Sequence, residues 1–242
     1  STQEQKSIKK IDERFEYWRS LFNNIGIYVF KAAFGTEDIS GFCIYDNNFP
    51  VIYVNNSLSF TRQIFTLFHE LYHIIVQTSG IDFLNDTDLY HNLNDVNVHI
   101  EKICNEFAGA FLVPDSDFDR ELQNRELNEN SISHLAQLYG VSREVILRKL
   151  LDRNCISQDE YERLRNQYIE DYFRNKNNKE PDKKGGGSYY NTQVSYKGSK
   201  YIELVLRNYY SNKITITQVS DYMNMKIPNI QKLVSKKGWG VL

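Results

Sequence analysis

Residues 60–77 read FTRQIFTLFHELYHIIVQ and contain neither glycine nor proline. The apolar residues in this stretch are dense and recur at helical spacing, which predicts a largely buried helix over about residues 59–77, ended by Gly80. Inside it lies His69-Glu70-Leu71-Tyr72-His73, which matches the HExxH pattern of zinc-dependent hydrolases.

The HExxH spacing brings two imidazoles onto one helix face, because residues i and i+4 lie one above the other. His69 and His73 can therefore hold one zinc ion, while Glu70, one step round the helix, faces the same cleft. A carboxylate in that place takes a proton from an attacking water molecule and delivers it to the leaving amine. The pattern predicts peptide hydrolysis with Glu70 as general base. The alternative is a pair of histidines in a stable helix without metal, but burying that much polarity without a partner is costly.

A catalytic zinc ion needs a third protein ligand. Residues 97–112 predict a second compact helix, because the pattern stops at Pro114, which cannot continue it. Its apolar stripe consists of Ile100, Cys104, Phe107 and Phe111, and Glu101 borders this stripe, so we favour Glu101 as the third ligand. His91 and His99 stay open as alternatives, whereas Glu106 lies on a face whose composition is typical of solvent exposure.

The segment between these two helices, residues 81–96, is rich in Asn and Asp and predicts a loop. The sequence does not single out the group that stabilises the oxyanion of the transition state. Tyr90 and His91 in this loop, and His99 just beyond it, lie in the right stretch to supply that group.

Bulk composition restricts the class of protein. The chain has 242 residues, 41% hydrophobic and 25% charged, which is typical of a globular protein with a substantial core. We expect no membrane span or signal peptide, since no apolar run is long enough and the first residues are polar. Three widely spaced cysteines argue against a disulfide framework, so a reducing cytoplasm is expected.

Charge divides the chain into an acidic front part and a basic tail. Residues 172–242 contain 13 Lys and Arg against 4 Asp and Glu, and the remainder is correspondingly acidic. A basic tail can meet nucleic acid, an acidic partner, or the front part itself. Residues 177–188, NNKEPDKKGGGS, are the best candidate for a linker before the tail.

Short periodic segments indicate the remaining elements. Residues 11–22 predict an amphipathic helix, and three apolar runs at 27–30, 42–45 and 51–54 predict a small sheet. Residues 131–151 predict two short helices around Gly140, capped by Ser131 and Ser142, with the look of a helix-turn-helix. Such patterns more often reflect simple helix packing, so DNA contact by this segment is possible but not favoured. Further helices are predicted at 156–176, near 199–210 and around residues 227–228.

Three separate stretches resemble motifs of the ImmA/IrrE metallopeptidases. They read PVIYVN at 50–55, FTLFHELYH at 65–73, and EKICNEFA at 101–108 followed by LVP at 112–114. The resemblance spans about residues 12–150. It implies that His69, His73 and Glu101 are zinc ligands, that Glu70 is the catalytic base, and that Asn105 orients a ligand or its helix. Tyr72 stands where this family often has glycine, so it either crowds the cleft or packs beneath it.

The resemblance also implies an architecture. We expect an α+β chain with a zincin-like metallopeptidase domain, made of a small sheet and active-site helices, at residues 1–125. A helical segment resembling a helix-turn-helix follows at 126–176, then the linker at 177–188 and a small basic C-terminal module at 189–242. Because the chain begins with Ser1 rather than methionine, we expect a trimmed or processed form of a longer protein.

By the same resemblance, the function is that of a zinc-dependent endopeptidase. Its expected substrate is an Xre-type helix-turn-helix repressor or an antitoxin, whose cleavage switches on mobile-element or stress genes in a bacterium or phage. Two alternatives stay open. The first is a catalytically weak zinc-fold scaffold or toxin component that acts by protein binding, and the second is a regulator that binds DNA directly through the basic tail.

Overall fold

The structure of the protein is a computed structural model, which describes residues 2–83, 95–123, 125–178 and 188–239. The described residues form four strands, namely β1 (Tyr28–Ala32), β2 (Ile39–Ile44), β3 (Val51–Asn55) and β4 (Gly80–Phe83). The front helices are α1 (Thr2–Ser7), α2 (Ile11–Asn24), α3 (Phe60–Ile75), α4 (Asp95–Leu112), α5 (Asp115–Leu122), α6 (Glu129–Tyr139), α7 (Arg143–Asp152) and α8 (Gln158–Asn178). The last four are α9 (Tyr189–Lys197), α10 (Ser199–Tyr210), α11 (Ile216–Met223) and α12 (Ile227–Lys237). The α+β class is therefore confirmed.

The sheet is mixed, with strand order β1-β3-β2-β4. β1 runs parallel to β3, while β2 is antiparallel to both β3 and β4. Side chains alternate between its faces: Val29 and Ile52 are buried on the inner face, whereas Phe30, Phe42 and Tyr53 form an aromatic row on the outer face. The inner face packs against α3, so the sheet supports the helix that carries the HExxH sequence.

The prediction of a loop over residues 81–96 is wrong at its start, where Gly80–Phe83 form β4. Asp82 made this stretch look like a loop, but its carboxylate is buried and accepts hydrogen bonds from Arg62 Nη2 (2.8 Å) and Thr66 Oγ1 (2.9 Å) of α3. A polar residue in a strand is thus stabilised by partners on the helix behind it. Residues 84–94 of the predicted loop lie outside the described residues.

One continuous apolar core joins the sheet to helices α2 to α8. Its aromatic centre includes Trp18 of α2, whose ring packs edge-on against Phe68 of α3 with centroids 4.9 Å apart. The same core extends through Leu135 of α6 and Leu147 of α7. Among the described residues, no helix combines the length and the apolar character that crossing a bilayer requires.

Helices α6 and α7 confirm the predicted helical pair, but one of the predicted caps is wrong. The N-cap of α6 is Asn128, whose side chain accepts from the backbone N–H of Ser131, while Ser131 Oγ accepts from the N–H of Asn128. This reciprocal capping box moves the helix start three residues upstream of the predicted cap at Ser131. Gly140 ends α6 in the left-handed region (φ 69°), and Ser142 caps α7 as predicted.

The last four helices contain a second, separate apolar core. Its buried members are Ile202, Val205, Leu206, Val219, Met223, Met225, Ile230 and Leu233. This group of helices contacts the front part through α9 and α10. The guanidinium of Arg19, with 2% of the residue exposed, donates to the carbonyl oxygens of Val29 (2.9 Å), Ser195 (2.6 Å) and Tyr196 (2.9 Å). Arg19 therefore joins α2, β1 and α9 in one buried contact.

Candidate metal centre

The two histidines of the HExxH sequence lie on the face of α3 that meets α4. Both are buried, with 1% of His69 and 2% of His73 exposed. Glu101 of α4 lies between them: its Oε2 is 3.0 Å from His69 Nε2 and its Oε1 is 3.3 Å from His73 Nε2. Two imidazoles from one helix and a carboxylate from the next therefore converge on a single point.

The apolar residues of α3 and α4 cause these two helices to pack together at the histidine pair. α3 packs more extensively against α4 than against any other helix, and Ala108 and Leu112 of α4 are fully buried in the shared core. Glu101 lies seven residues before Ala108 along α4, which is two turns of helix and therefore the same face. The apolar stripe that fixes the packing thus also aims Glu101 at the histidines.

Electrostatics at the site reflect buried groups of opposite charge. Burial opposes the charged form of His69, but Asp82 and Glu101 outweigh it and raise the pKa of His69 to about 9. Burial by itself would raise the pKa of Glu101, but contacts with His69 and His73 lower the pKa of this carboxyl group to about 2. The carboxylate of Glu101 thus favours positive charge at His69, and it would favour a bound cation for the same reason.

Glu70 is fully buried, at 0% exposure, beside the histidine pair. Within the described part of the chain, neither of its carboxylate oxygens has a hydrogen-bond partner of acceptable geometry. Burial raises the pKa of Glu70 to about 8, against the opposing influence of His69. An unpartnered carboxyl group in such a place is unusual, because buried polar groups are nearly always satisfied.

Two polar side chains hold the imidazole rings from behind. Asn105 Oδ1 lies 3.0 Å from His69 Nδ1, and Thr78 Oγ1 lies 3.2 Å from His73 Nδ1. Asn105 was identified on the sequence, whereas Thr78 was not, since no motif marks a threonine five residues beyond the second histidine. Contacts of this kind fix the ring orientation and direct each Nε2 towards Glu101.

A cysteine also reaches the histidine pair. The ligating atoms of His69, His73 and Cys104 all lie within 4.8 Å of one another, and Cys104 is fully buried. Sequence analysis assigned Cys104 only to the apolar stripe of its helix. Burial raises the pKa of its thiol, so the metal-free site contains the neutral form. Glu101 is within 3.0 Å and 3.3 Å of the two imidazole Nε2 atoms and is a carboxylate with a lowered pKa, so we take Glu101 as the third donor.

The residues present fit a divalent transition metal. Two imidazoles with a carboxylate, or with a thiol, are donor sets that zinc accepts. His73 Nε2 is buried and has no hydrogen-bond partner of acceptable geometry among the described residues, although Glu101 is 3.3 Å away. A buried nitrogen in that condition is explained when its lone pair is directed at an ion.

The remaining candidate residues are placed as follows. Tyr90 and His91 lie outside the described residues, so their proposed part as oxyanion stabilisers stays a prediction. His99 is exposed on α4, and Glu106 is exposed further along the same helix. The ring of Tyr72 packs on Phe107 of α4, with centroids 5.2 Å apart, so it serves helix packing.

The fold is a small mixed sheet that supports a helix whose buried side chains can ligate a metal ion together with those of the neighbouring helix. Residues 22–151 match the peptidase M78 family, described as the IrrE N-terminal-like domain. Because that match covers more than half of the chain, the protein belongs to the ImmA/IrrE family of peptidases.

Individual relatives add little beyond the family. No curated protein matches the chain. Among solved structures, a Mycobacterium tuberculosis transcriptional regulator is similar, with 20% identity and a TM-score of 0.39 over 62% of this chain. The match covers 44% of the regulator, so the chain spans less than half the length of that protein.

Proposed function

We propose that the protein is a zinc-dependent endopeptidase. His69, His73 and Glu101 hold the metal ion, and Glu70 is the general base. The observation that carries the proposal is the position of Glu101, whose two oxygens lie 3.0 Å and 3.3 Å from the two imidazole Nε2 atoms. A surface glutamate on an unrelated helix has no reason to meet both histidines of an HExxH sequence.

Each residue has a distinct part in the chemistry. A zinc ion, when bound, supplies a Lewis acid that polarises a peptide carbonyl and makes water a stronger acid at neutral pH. Glu70 takes the proton from the attacking water molecule and delivers it to the leaving amine nitrogen. Asn105 Oδ1 and Thr78 Oγ1 lie within hydrogen-bond distance of the Nδ1 atoms of the two histidines, and by accepting from them they would leave the lone pair of each Nε2 for the metal ion.

Metal analysis tests the ligand set. We expect Glu101→Gln to lower zinc affinity, measured by competition with a chromophoric chelator, because the variant loses the carboxylate charge at the convergence point. The matched control is Glu106→Gln, which makes the same change on an exposed face of the same helix. Equal zinc affinity in both variants would contradict the assignment of Glu101.

The substrate we propose is a protein, specifically an Xre-type helix-turn-helix repressor encoded near the peptidase. Its cleavage would switch on the genes that it represses, including mobile-element or stress genes, within the cytoplasm of a bacterium. Family membership is the support for this substrate class. The Glu70→Gln variant should bind zinc and leave the repressor intact, whereas the unaltered protein cuts it and a chelator prevents the cut.

The burial of Glu70 favours a second candidate function. With 0% of Glu70 and 2% of His73 exposed, the described residues enclose the reacting groups. A zinc-fold scaffold or toxin component that acts by binding a protein needs the ligands but no access for a substrate. A stable zinc-containing complex with the repressor, formed equally by Glu70→Gln and never leading to cleavage, would establish this candidate instead.

We propose the following division of the chain into functional parts. Residues 1–125 are the zincin-like metallopeptidase domain, 126–176 are a helical segment resembling a helix-turn-helix, 177–188 are a linker and 189–242 are a basic C-terminal module. Residues 179–187 of the linker lie outside the described residues. Limited proteolysis followed by mass spectrometry should give a first cut within 177–188 if this division is right.

A further inference from the structure

The pair α11–α12 forms a helix-turn-helix within the second core. α11 ends at Asn224, which adopts the left-handed conformation (φ 42°), and α12 begins at Ile227. Met225, between them, is buried, and its backbone N–H and C=O both bond to Ser220 of α11. Two helices joined by a three-residue turn, packed on a preceding helix, are the arrangement of DNA-binding helix-turn-helix units.

The second helix of this pair has an outward face that the core does not use. Ile230 and Leu233 of α12 are buried in the second core. On the opposite side, Gln231, Lys232 and Ser235 are exposed and stand at helical spacing. This face is polar and carries groups that donate hydrogen bonds to base edges and phosphates.

Positive charge in this part of the chain is not neutralised. Residues 188–239 contain eight Lys and Arg against two Asp and Glu, a net charge of +6. Among the described residues, no carboxylate lies within ion-pair distance of any of these eight side chains. The Nζ of Lys236 lies over the ring of Tyr190, 4.7 Å from its centroid. The surface therefore has charge to offer to an anionic partner.

The helical pair α6–α7, which the sequence suggested as the helix-turn-helix, differs because most of its cations have ion-pair partners. On α7, Lys149 is paired with Asp115 (2.6 Å) and Arg148 with Asp152 (3.1 Å). Arg153, next after α7, is paired with Asp115 (2.8 Å) and with Asp119 (2.6 Å). These three cations are thus already engaged by acidic side chains of the same fold, while the guanidinium of Arg143 lies over the ring of Tyr168, 3.8 Å from its centroid.

We propose that the C-terminal helices bind duplex DNA, with α12 lying in the major groove. The major groove of B-form DNA is wide enough for a helix, whereas that of an RNA duplex is too narrow. Lys232, Lys236 and Lys237 contact phosphates, while Gln231 and Ser235 face base edges. The contact between Arg19 and α9 attaches this DNA-binding unit to the peptidase part, and the outward face of α12 remains exposed.

Salt-dependent binding by the full-length protein tests the proposal. Fluorescence anisotropy with a labelled duplex of about 30 base pairs and mixed sequence, from about 50 to 200 mM salt, gives the affinity and its salt slope. The triple variant Lys232→Gln, Lys236→Gln, Lys237→Gln should bind at least about tenfold more weakly, with a slope shallower by about 2 to 3. Binding releases about one counterion from the DNA for each phosphate contact, so losing contacts lowers both the affinity and the salt slope.

A matched control removes the same charge elsewhere. The triple variant Arg148→Gln, Arg163→Gln, Arg165→Gln changes three exposed cations outside the C-terminal helices and should bind like the unaltered protein. Gln231→Glu provides a single substitution that places a negative charge on the α12 face, and it should also weaken binding. Circular dichroism checks that each variant is folded.

Several outcomes would overturn the proposal. These are absence of salt-dependent binding, an equal loss in both triple variants, and equal affinity for an RNA duplex of the same length. Displacement by a polyglutamate peptide as effective as by DNA would assign the surface to an acidic protein instead. Glu70→Gln should bind DNA like the unaltered protein, so failure of the peptidase proposal and failure of this one are distinguishable.

Discussion

Replacing Arg19 with methionine should destabilise the protein and loosen its C-terminal helices. The guanidinium is 2% exposed and donates to three carbonyl oxygens, those of Val29, Ser195 and Tyr196, at 2.9, 2.6 and 2.9 Å. Methionine fills the same stem volume but donates nothing. A hydrogen bond from a charged donor contributes about 1.5–3 kcal/mol, offset here by the cost of burying the charge, so we expect a net loss of about 3–5 kcal/mol.

Urea denaturation measures this loss directly. With a slope of about 3 kcal/mol per molar urea, a loss of 3 kcal/mol lowers the unfolding midpoint by roughly 1 M. Arg148→Met is the matched control, since Arg148 is 57% exposed and its ion pair with Asp152 lies at the surface, and it should leave the midpoint nearly unchanged. A midpoint for Arg19→Met equal to that of this control would refute the claim that the buried guanidinium joins the two cores.

Three further changes test other parts of the fold. Burial lowers the pKa of Lys31 to about 8, whereas in the unfolded chain this side chain keeps its proton up to about pH 10.5. Below pH 8 the folded protein therefore carries a buried charge that reduces its stability, and this cost falls as the pH rises. In urea titrations, the stability advantage of Lys31→Met over the unaltered protein should shrink by about 2 kcal/mol between pH 7 and 10. Gly80→Ala should weaken zinc binding, measured by calorimetry, about tenfold or more, because the added carbon would lie 2.6 Å from the His73 ring. Gly109→Ala is the control: it has open space for the added carbon and should leave zinc binding unchanged. Leu147→Ala should lower the free energy of unfolding by about 3–5 kcal/mol in thermal melts, since Leu147 is fully buried, and a loss below about 1 kcal/mol would contradict its place in the core.

The parts of the fold that follow from local pattern were predictable. The helix over 59–77 and the three strands before it have strong periodicity, and the structure has all four within a few residues. Elements stabilised by distant partners were missed. α1 has a polar sequence, and the side-chain amide of its buried Gln5 donates to the carbonyl oxygens of Leu112 and Tyr139, which are 107 and 134 residues away. No periodicity within α1 contains that information.

The same distinction holds at the candidate metal centre. His69, Glu70 and His73 were identifiable because one helix turn sets their spacing, and Glu101 because a stripe of apolar neighbours sets its direction. Cys104 and Asp82 were read as a core residue and a loop residue, since their proximity to the histidines depends on how β4 and α4 pack on α3. Short polar strands and buried thiols give no sequence signal of nearness to a site.

The position of β1 has a consequence for how the protein is made. β1 is an edge strand of the sheet. Its unpaired edge is covered by α9 and by the Arg19 guanidinium, which donates to the carbonyl oxygen of Val29. Uncovered strand edges recruit other strands and promote aggregation. α9 follows the sheet and the helices α3 to α8 in the sequence, so the nascent chain carries an open β edge until α9 has been synthesised. Premature termination near residue 178 would therefore yield aggregation-prone fragments, which chaperones would have to bind to keep them soluble.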